Sequence, residues 1–176
     1  HNGKTLIILS DRGCKKGLAP IPPLLATSFL HHSLKDKAIR SKFDFIIESA
    51  EPREPHHFAC LFGYGAAAIN PYMVNEIIRT QVQEGFIENL NEQEAVENFN
   101  AAIGKGLLKI MNKIGISTLN SYRGSQIFEI LGFRKEFTEE YFPNTPSRIG
   151  GIGLNEIEKE IDKRYSYAFP DNLIKN

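Results

Sequence analysis

Three things are scarce in this sequence: thiols, unbalanced charge and long apolar runs. Cys14 and Cys60 are its two cysteines. They stand far apart and neither belongs to a C-x-x-C pair, which argues against a zinc ribbon or disulfide framework and for free thiols in a reducing, cytoplasmic setting. Lys plus Arg total 21 and Asp plus Glu total 21; with no basic surplus to neutralise phosphates, nucleic acid is not an expected partner. No apolar stretch approaches the roughly 20 residues that span a bilayer, and the first residues lack the charged and apolar regions of a signal peptide, so no membrane partner is expected. What remains is 176 residues, 41% hydrophobic and 24% charged, which suits one globular domain whose core needs no staple.

The chain alternates short apolar runs with helical patterns. Thr5 to Leu9 is continuously apolar and predicts a parallel strand buried on both faces. A core strand so early suggests that the chain begins in mid-domain. Pro22 or Pro23 fits the first turn of a helix running to about Lys37. On that helix Ile21, Leu24, Leu25, Ser28, Phe29 and His32 share one face, which makes His32 the buried histidine and turns His31 away. Phe43 to Glu48 predicts a second strand, His56 to Phe62 a short helix, and Gly65 to Ile69 a small third strand. Asn70-Pro71 opens a helix from Tyr72 to about Glu84 that buries Met73, Ile77 and Ile78. Asn91 with Glu94 predicts a capping box ahead of a helix of about 22 residues. Its stripe, Val96, Phe99, Ala102, Ile103, Leu107, Ile110, Met111 and Ile114, reads as core, and the row Lys105, Lys109, Lys113 as a solvated flank.

The stretch from 105 to 129 predicts a helix–strand–helix unit: a strand over Ile116 to Leu119, then Asn120 to Arg123, then a helix from Ser125 to Gly132. Polar residues just past a parallel strand line the face where ligands bind. Glu136 to Phe142 reads as an amphipathic turn, Pro143 to Gly153 as a flexible hinge and Leu154 to Tyr167 as a terminal helix. The order of elements implies an α/β fold, a mostly parallel sheet with flanking helices, either an incomplete barrel or an open Rossmann-like sheet.

Candidate ligand-facing or domain-contact residues gather at the predicted strand ends: Ser10, Asp11, Arg12, Glu48, Arg53, His56, His57, Asn70, Tyr122 and Arg123. Adjacent His56 and His57 diverge on a helix and form no His-x-x-x-His pair, so capping or domain contact is preferred to metal binding or proton transfer. Gly63-Tyr64-Gly65-Ala66 lacks the dinucleotide G-x-G-x-x-G pattern. No predicted strand precedes Gly150-Gly151-Ile152-Gly153, so it reads as a hinge and not as a phosphate cradle. Arg123 is expected to hold a carboxylate at another strand end, Glu48 or Glu51.

A run of motifs resembles the large (alpha) subunit of glutamate synthase, including its ferredoxin-dependent form. They are Ile8-Leu9-Ser10-Asp11-Arg12, His56-His57-Phe58, Gly63-Tyr64-Gly65-Ala66, Asn70-Pro71-Tyr72, Lys105-Gly106-Leu107-Leu108-Lys109, Gly115-Ile116-Ser117-Thr118, Ser121-Tyr122-Arg123-Gly124 and Ser147-Arg148-Ile149-Gly150-Gly151-Ile152-Gly153-Leu154. The resemblance implies that 3–153 is the C-terminal portion of that family's central domain and 154–176 a helix and linker toward an FMN-binding domain. It implies a parent enzyme of ammonia assimilation, an oxidoreductase using FMN and an iron–sulfur cluster to make two glutamates from glutamine and 2-oxoglutarate. Partners implied are the amidotransferase and FMN-binding domains of the same chain and an electron-donor subunit or ferredoxin, in the cytoplasm or in a plastid. The family's N-terminal catalytic Cys has no match here, so no catalytic, cofactor or metal residue is expected in this stretch, and exposed cut surfaces are expected to make it self-associate. The alternative is an independent α/β enzyme or small-ligand-binding domain.

Overall fold

A computed structural model of the chain describes residue 3 and residues 5–170. Two small parallel sheets and seven α-helices make up the described fold. The first sheet has the order β1–β2–β3, with β1 at Leu6–Ser10, β2 at Asp44–Glu48 and β3 at Ala68–Asn70. Helix α1 (Pro23–Asp36) and a 3₁₀ turn (Arg40–Lys42) join β1 to β2, and α2 (Pro55–Gly63) joins β2 to β3. The α/β class and the parallel pairing agree with the sequence. No closed barrel forms among the described residues, and the sheet is open.

β2 is the central strand, because its alternation places Phe45 and Ile47 in the core against Leu24, Leu30, Leu34 and Leu61. β1 is not buried on both faces as its composition suggests. It pairs on one side with β2, and Leu6 and Ile8 remain 51% and 59% exposed. Composition records apolarity but not neighbours.

Helix α3 (Tyr72–Gln83) packs on the long α4 (Glu92–Lys113). The predicted capping box is present at the start of α4: Glu94 N–H donates to Asn91 Oδ1 at 2.9 Å, and Asn91 N–H to Glu94 Oε2 at 3.0 Å. Met73 and Ile77, expected in the core, face outward, because α3 is half-buried along its length and has no fully buried residue.

The central unit differs most from its reading. Residues 116–118 form no strand; Ile116 packs beside Met111 and Tyr122, and Thr118 caps a one-turn helix, α5 (Leu119–Tyr122), by accepting from Ser121 N–H. The expected helix from Ser125 is instead an irregular segment, with Gln126 at φ +56°, leading into β4 (Ile130–Phe133), and the expected hinge contains β5 (Ser147–Ile152), parallel to β4. Gly151 explains why the pair can close: a Cβ there would lie 2.2 Å from Gly132 O. Between them α6 (Lys135–Tyr141) sends Phe137 into an aromatic cluster with Tyr64, Phe142 and Phe128. The last helix, α7 (Leu154–Ala168), returns across the molecule to the β1–α1 connection, where Tyr165 OH donates to Lys15 O at 2.8 Å and accepts from Gly17 N–H.

Candidate functional site

Strand register builds the carboxyl end of the first sheet. Ser10, Glu48 and Asn70 are cross-strand neighbours, so their side chains share one face and meet. Glu48 accepts from Ser10 Oγ at 2.6 Å, from Arg12 Nε at 2.9 Å and from Asn70 Nδ2 at 3.1 Å. The hydrogen bonds from Ser10 and Arg12 hold its carboxyl below the usual range. The Arg12 guanidinium also lies 4.0 Å over the Tyr72 ring.

One residue further on, period-two alternation turns the next pair to the opposite face. Asp11 accepts from Ser49 Oγ at 2.6 Å and from Ala50 N–H at 3.0 Å, and Ser49 Oγ in turn accepts from Glu51 N–H at 3.1 Å. Burial, and then the hydrogen bond to Asp11, push the Tyr72 hydroxyl up to about 12. Ser49 is buried and was not among the sequence candidates; the alternation that pairs Ser10 with Glu48 also pairs Asp11 with Ser49 and was the signal available. Beside the two knots a cavity of about 220 Å³ has apolar walls from Leu9, Ile21, Pro23, Ala26 and Ile47 and polar ones from Ser10, Asp11, Glu48 and Ser49. Both carboxylates are thus occupied by the chain's own donors.

The Arg53–His57 cluster opens α2. His57 Nδ1 accepts from Arg53 N–H at 3.2 Å and its Nε2 lies 3.3 Å from Glu54 Oε1, whereas His56 Nε2 lies 3.5 Å from Cys60 Sγ. The two imidazoles serve different neighbours, and no group of three His, Cys, Asp or Glu among the described residues could hold a metal ion. Burial pushes the Cys60 thiol up to about 11, so it stays protonated and is a poor nucleophile despite its histidine. Glu51, raised by burial, sits 3.8 Å from Arg164 of α7.

Tyr122 and Arg123 do not join these residues. Tyr122 is 1% exposed, faces Ala59 and Met111, and its hydroxyl, raised to about 12 by burial, has no hydrogen-bond partner among the described residues; it is a core residue and not ligand-facing. Arg123 donates to Asp44 Oδ1 at 3.0 Å and to Asn120 Oδ1 at 2.7 Å. Asp44 begins β2, while Glu48 ends it, so Arg123 works at the opposite end of the sheet from its expected partners. The cause is α5, which turns the chain before any strand can carry it upward.

A cluster that sequence reasoning missed lies at that end. Arg40 donates through Nε to His31 Nδ1 at 3.0 Å, through Nη2 to Gly65 O at 2.9 Å and through Nη1 to Phe43 O, and stacks 4.2 Å over Phe45. His31, expected to point away, and His32, expected in the core, are both half-buried, with ring centroids 5.1 Å apart. Gly65, at φ +116°, must lack a side chain, because its Cβ would stand 2.4 Å from His31 Nδ1. Nothing local in the sequence marks Arg40, whose partners come from α1, the start of β2 and the turn after α2.

These features define an open, all-parallel α/β domain whose polar strand ends are tied to one another. The chain belongs to the glutamate synthase central domain family, whose model matches residues 1–134. It is 45% identical over 173 residues to the glutamate synthase [NADPH] large chain of Bacillus subtilis (strain 168), covering 98% of this chain and 11% of that one. It is 40% identical over 181 residues to the ferredoxin-dependent glutamate synthase of Pyropia yezoensis, covering 97% and 12%. With the glutamate synthase [NADH] of Schizosaccharomyces pombe it shares 37% identity over 171 residues, covering 97% and 8%. The chain therefore spans about a tenth of the length of these relatives.

Proposed function

We propose that this chain is a connecting part of a glutamate synthase large subunit, working by holding geometry and not by chemistry. The observation that carries this reading is the pair of knots at the sheet's carboxyl end. In a ligand-binding α/β domain that rim presents unsatisfied donors and acceptors to a substrate; here Glu48 and Asp11 are bonded by Ser10, Arg12, Asn70, Ser49 and Ala50. The Cys60 thiol, 3.5 Å from His56, is raised by burial and so held in its less nucleophilic, protonated form.

On this reading residues 3–153 are the later part of the central domain, and 154–176 lead toward a flavin-binding domain. Ammonia released from glutamine in an amidotransferase domain reacts with 2-oxoglutarate, and the product is reduced at FMN, with electrons from a pyridine-nucleotide donor or ferredoxin. The setting is cytoplasm or plastid. The cofactors belong elsewhere in the parent: a cluster held by three cysteines cannot be built from Cys14 and Cys60. Ser10, Asp11, Arg12, Glu48 and Asn70 then shape the rim of the connecting layer, and Arg53, His56 and His57 flank it.

Two measurements test the reading together. The purified chain should show no visible absorbance after incubation with FMN and form no glutamate from glutamine. An antibody raised against it should detect, in the source cells, a polypeptide roughly nine times as long, the inverse of the 11% coverage. Stoichiometric flavin, or glutaminase activity that Cys60→Ser abolishes, would overturn it.

A further inference from the structure

Positive charge collects at the amino end of the first sheet. The formal charges of the whole chain cancel, yet a hollow of about 600 Å³ at that end is lined by Lys35 of α1, Arg40 of the 3₁₀ turn and Arg123 just past α5, against a single carboxylate, Asp44. Asp44 is engaged by Arg123 at 3.0 Å. Arg40 is steered by the carbonyls of Phe43 and Gly65, which orient it but bring no countercharge. His31, whose Nδ1 accepts from Arg40, is neutral and brings none either. Lys35 is exposed. The three cations come from separate parts of the sequence, so the fold itself holds like charges together. Their mutual field is felt: burial first, then Arg123, lowers the Arg40 pKa while Asp44 opposes, and burial, then Arg40, His32, Lys35 and Arg123, lowers that of His31.

Donors remain for a ligand. Arg40 spends three N–H groups, on His31, Phe43 and Gly65, and Arg123 two, on Asp44 and Asn120, and both guanidinia keep others. Asn120, whose Oδ1 is taken by Arg123, has its amide NH₂ to give, and the Ser41 hydroxyl also lines the hollow. The cations exceed the lining carboxylate by two. A phosphate group, with about −1.5 to −2 charges near pH 7 and three strong acceptor oxygens, answers both the charge and the spread of donors; a monocarboxylate would leave a cation unmatched. The volume falls within the range of about 300–1,000 Å³ usual for small-molecule sites, which leaves room for a group esterified to the phosphate.

We propose that this hollow binds a small phosphate-bearing anion, its phosphate held between Lys35, Arg40 and Arg123 with Ser41 and Asn120 as neutral donors. The site lies at the opposite end of the sheet from the two knots and uses none of their residues, so it stands whether or not the connecting role does.

Amide NMR of this chain, titrated with inorganic phosphate and with glycerol phosphate at an ionic strength fixed by sodium chloride, tests it. Signals of residues 35, 40–44 and 120–123 should move together and saturate with one Kd. Lys35→Gln with Arg123→Gln should weaken that Kd at least about tenfold, because each change removes a hydrogen bond to a charged group. Both Lys35 and Asp44 are exposed, so the pair of changes strands no buried partner; Lys35→Gln alone, expected to weaken binding at least about threefold, carries the test if the double variant does not fold. The same loss of charge on α4, Lys105→Gln with Lys109→Gln, should leave the Kd within about twofold. Tighter binding of glycerol phosphate than of inorganic phosphate would make the natural occupant an ester, and the reverse order free phosphate. Shifts that do not saturate, or that the double variant leaves unchanged, overturn the proposal. So does tighter binding of succinate than of either phosphate compound, which would make the hollow a dicarboxylate site.

Discussion

Acidification should unpin the amino end of the sheet, and His31 sets where. Its Nδ1 accepts from Arg40 Nε at 3.0 Å, and a nitrogen used as acceptor carries no proton, so the folded state keeps this ring neutral. Burial first, then Arg40, His32, Lys35 and Arg123, push its pKa from 6.5 down to about 4. Because the folded value is the lower one, the unfolded chain takes up the proton first. The stability held by neutral His31 is whole above pH 6.5 and is lost as pH falls from there through about 4. At about 1.4 kcal/mol per pH unit that gap sets a ceiling of about 3 kcal/mol. The ring is half-buried and partly screened by water, so about 1–2 kcal/mol is expected. Urea denaturation from about pH 7 to about pH 4, for the unmodified chain and for His31→Asn, measures it. The asparagine oxygen can accept from Arg40 but does not titrate, while Glu48, Glu51 and His32 titrate in both proteins and cancel in the difference. The unmodified chain should lose about 1–2 kcal/mol more than the variant over that range. Parallel curves would refute the reasoning.

Asp11→Ala should cost about 2–3 kcal/mol in the urea midpoint, because it strands the buried Ser49 hydroxyl and the Ala50 amide at once; a loss under about 0.5 kcal/mol would count against the second knot. Arg123→Ala should cost about 1 kcal/mol or less, since its partner Asp44 is exposed and can return to water. A loss above about 3 kcal/mol would mean that the pair is far better shielded than its exposure indicates. The open edge of β1, with Leu6 and Ile8 facing solvent, should make the isolated chain associate with itself. Light scattering after size exclusion should show Leu6→Lys with Ile8→Lys shifting it toward monomer, and a dilution-independent monomer from the unmodified chain would remove that expectation.

What could be read from the sequence was what depends on near neighbours. The Asn91–Glu94 box, the prolines opening α1 and α2, and the strand–helix alternation of the first 70 residues each need only a few adjacent positions to specify them, and each is present. The misplaced elements depend on distant partners. Ile116 to Leu119 has β-branched composition but no strand to pair with, whereas Ile130 to Phe133 becomes a strand because Ser147 to Ile152 arrives beside it. The site divides the same way. Ser10, Glu48 and Asn70 were legible as strand ends, and register brings them together. Arg123 was placed at the wrong end of the sheet because α5 was invisible in the sequence, and Arg40 was missed because its acceptors are His31, Phe43 and Gly65.

The Tyr165 hydroxyl, lodged in the turn between Lys15 and Leu18, joins positions 150 residues apart along the chain. That peg makes a mechanical shortcut. Tension applied between β1 and α7 therefore has a direct path through two hydrogen bonds at a turn, in parallel with the path through the β1–β2 ladder.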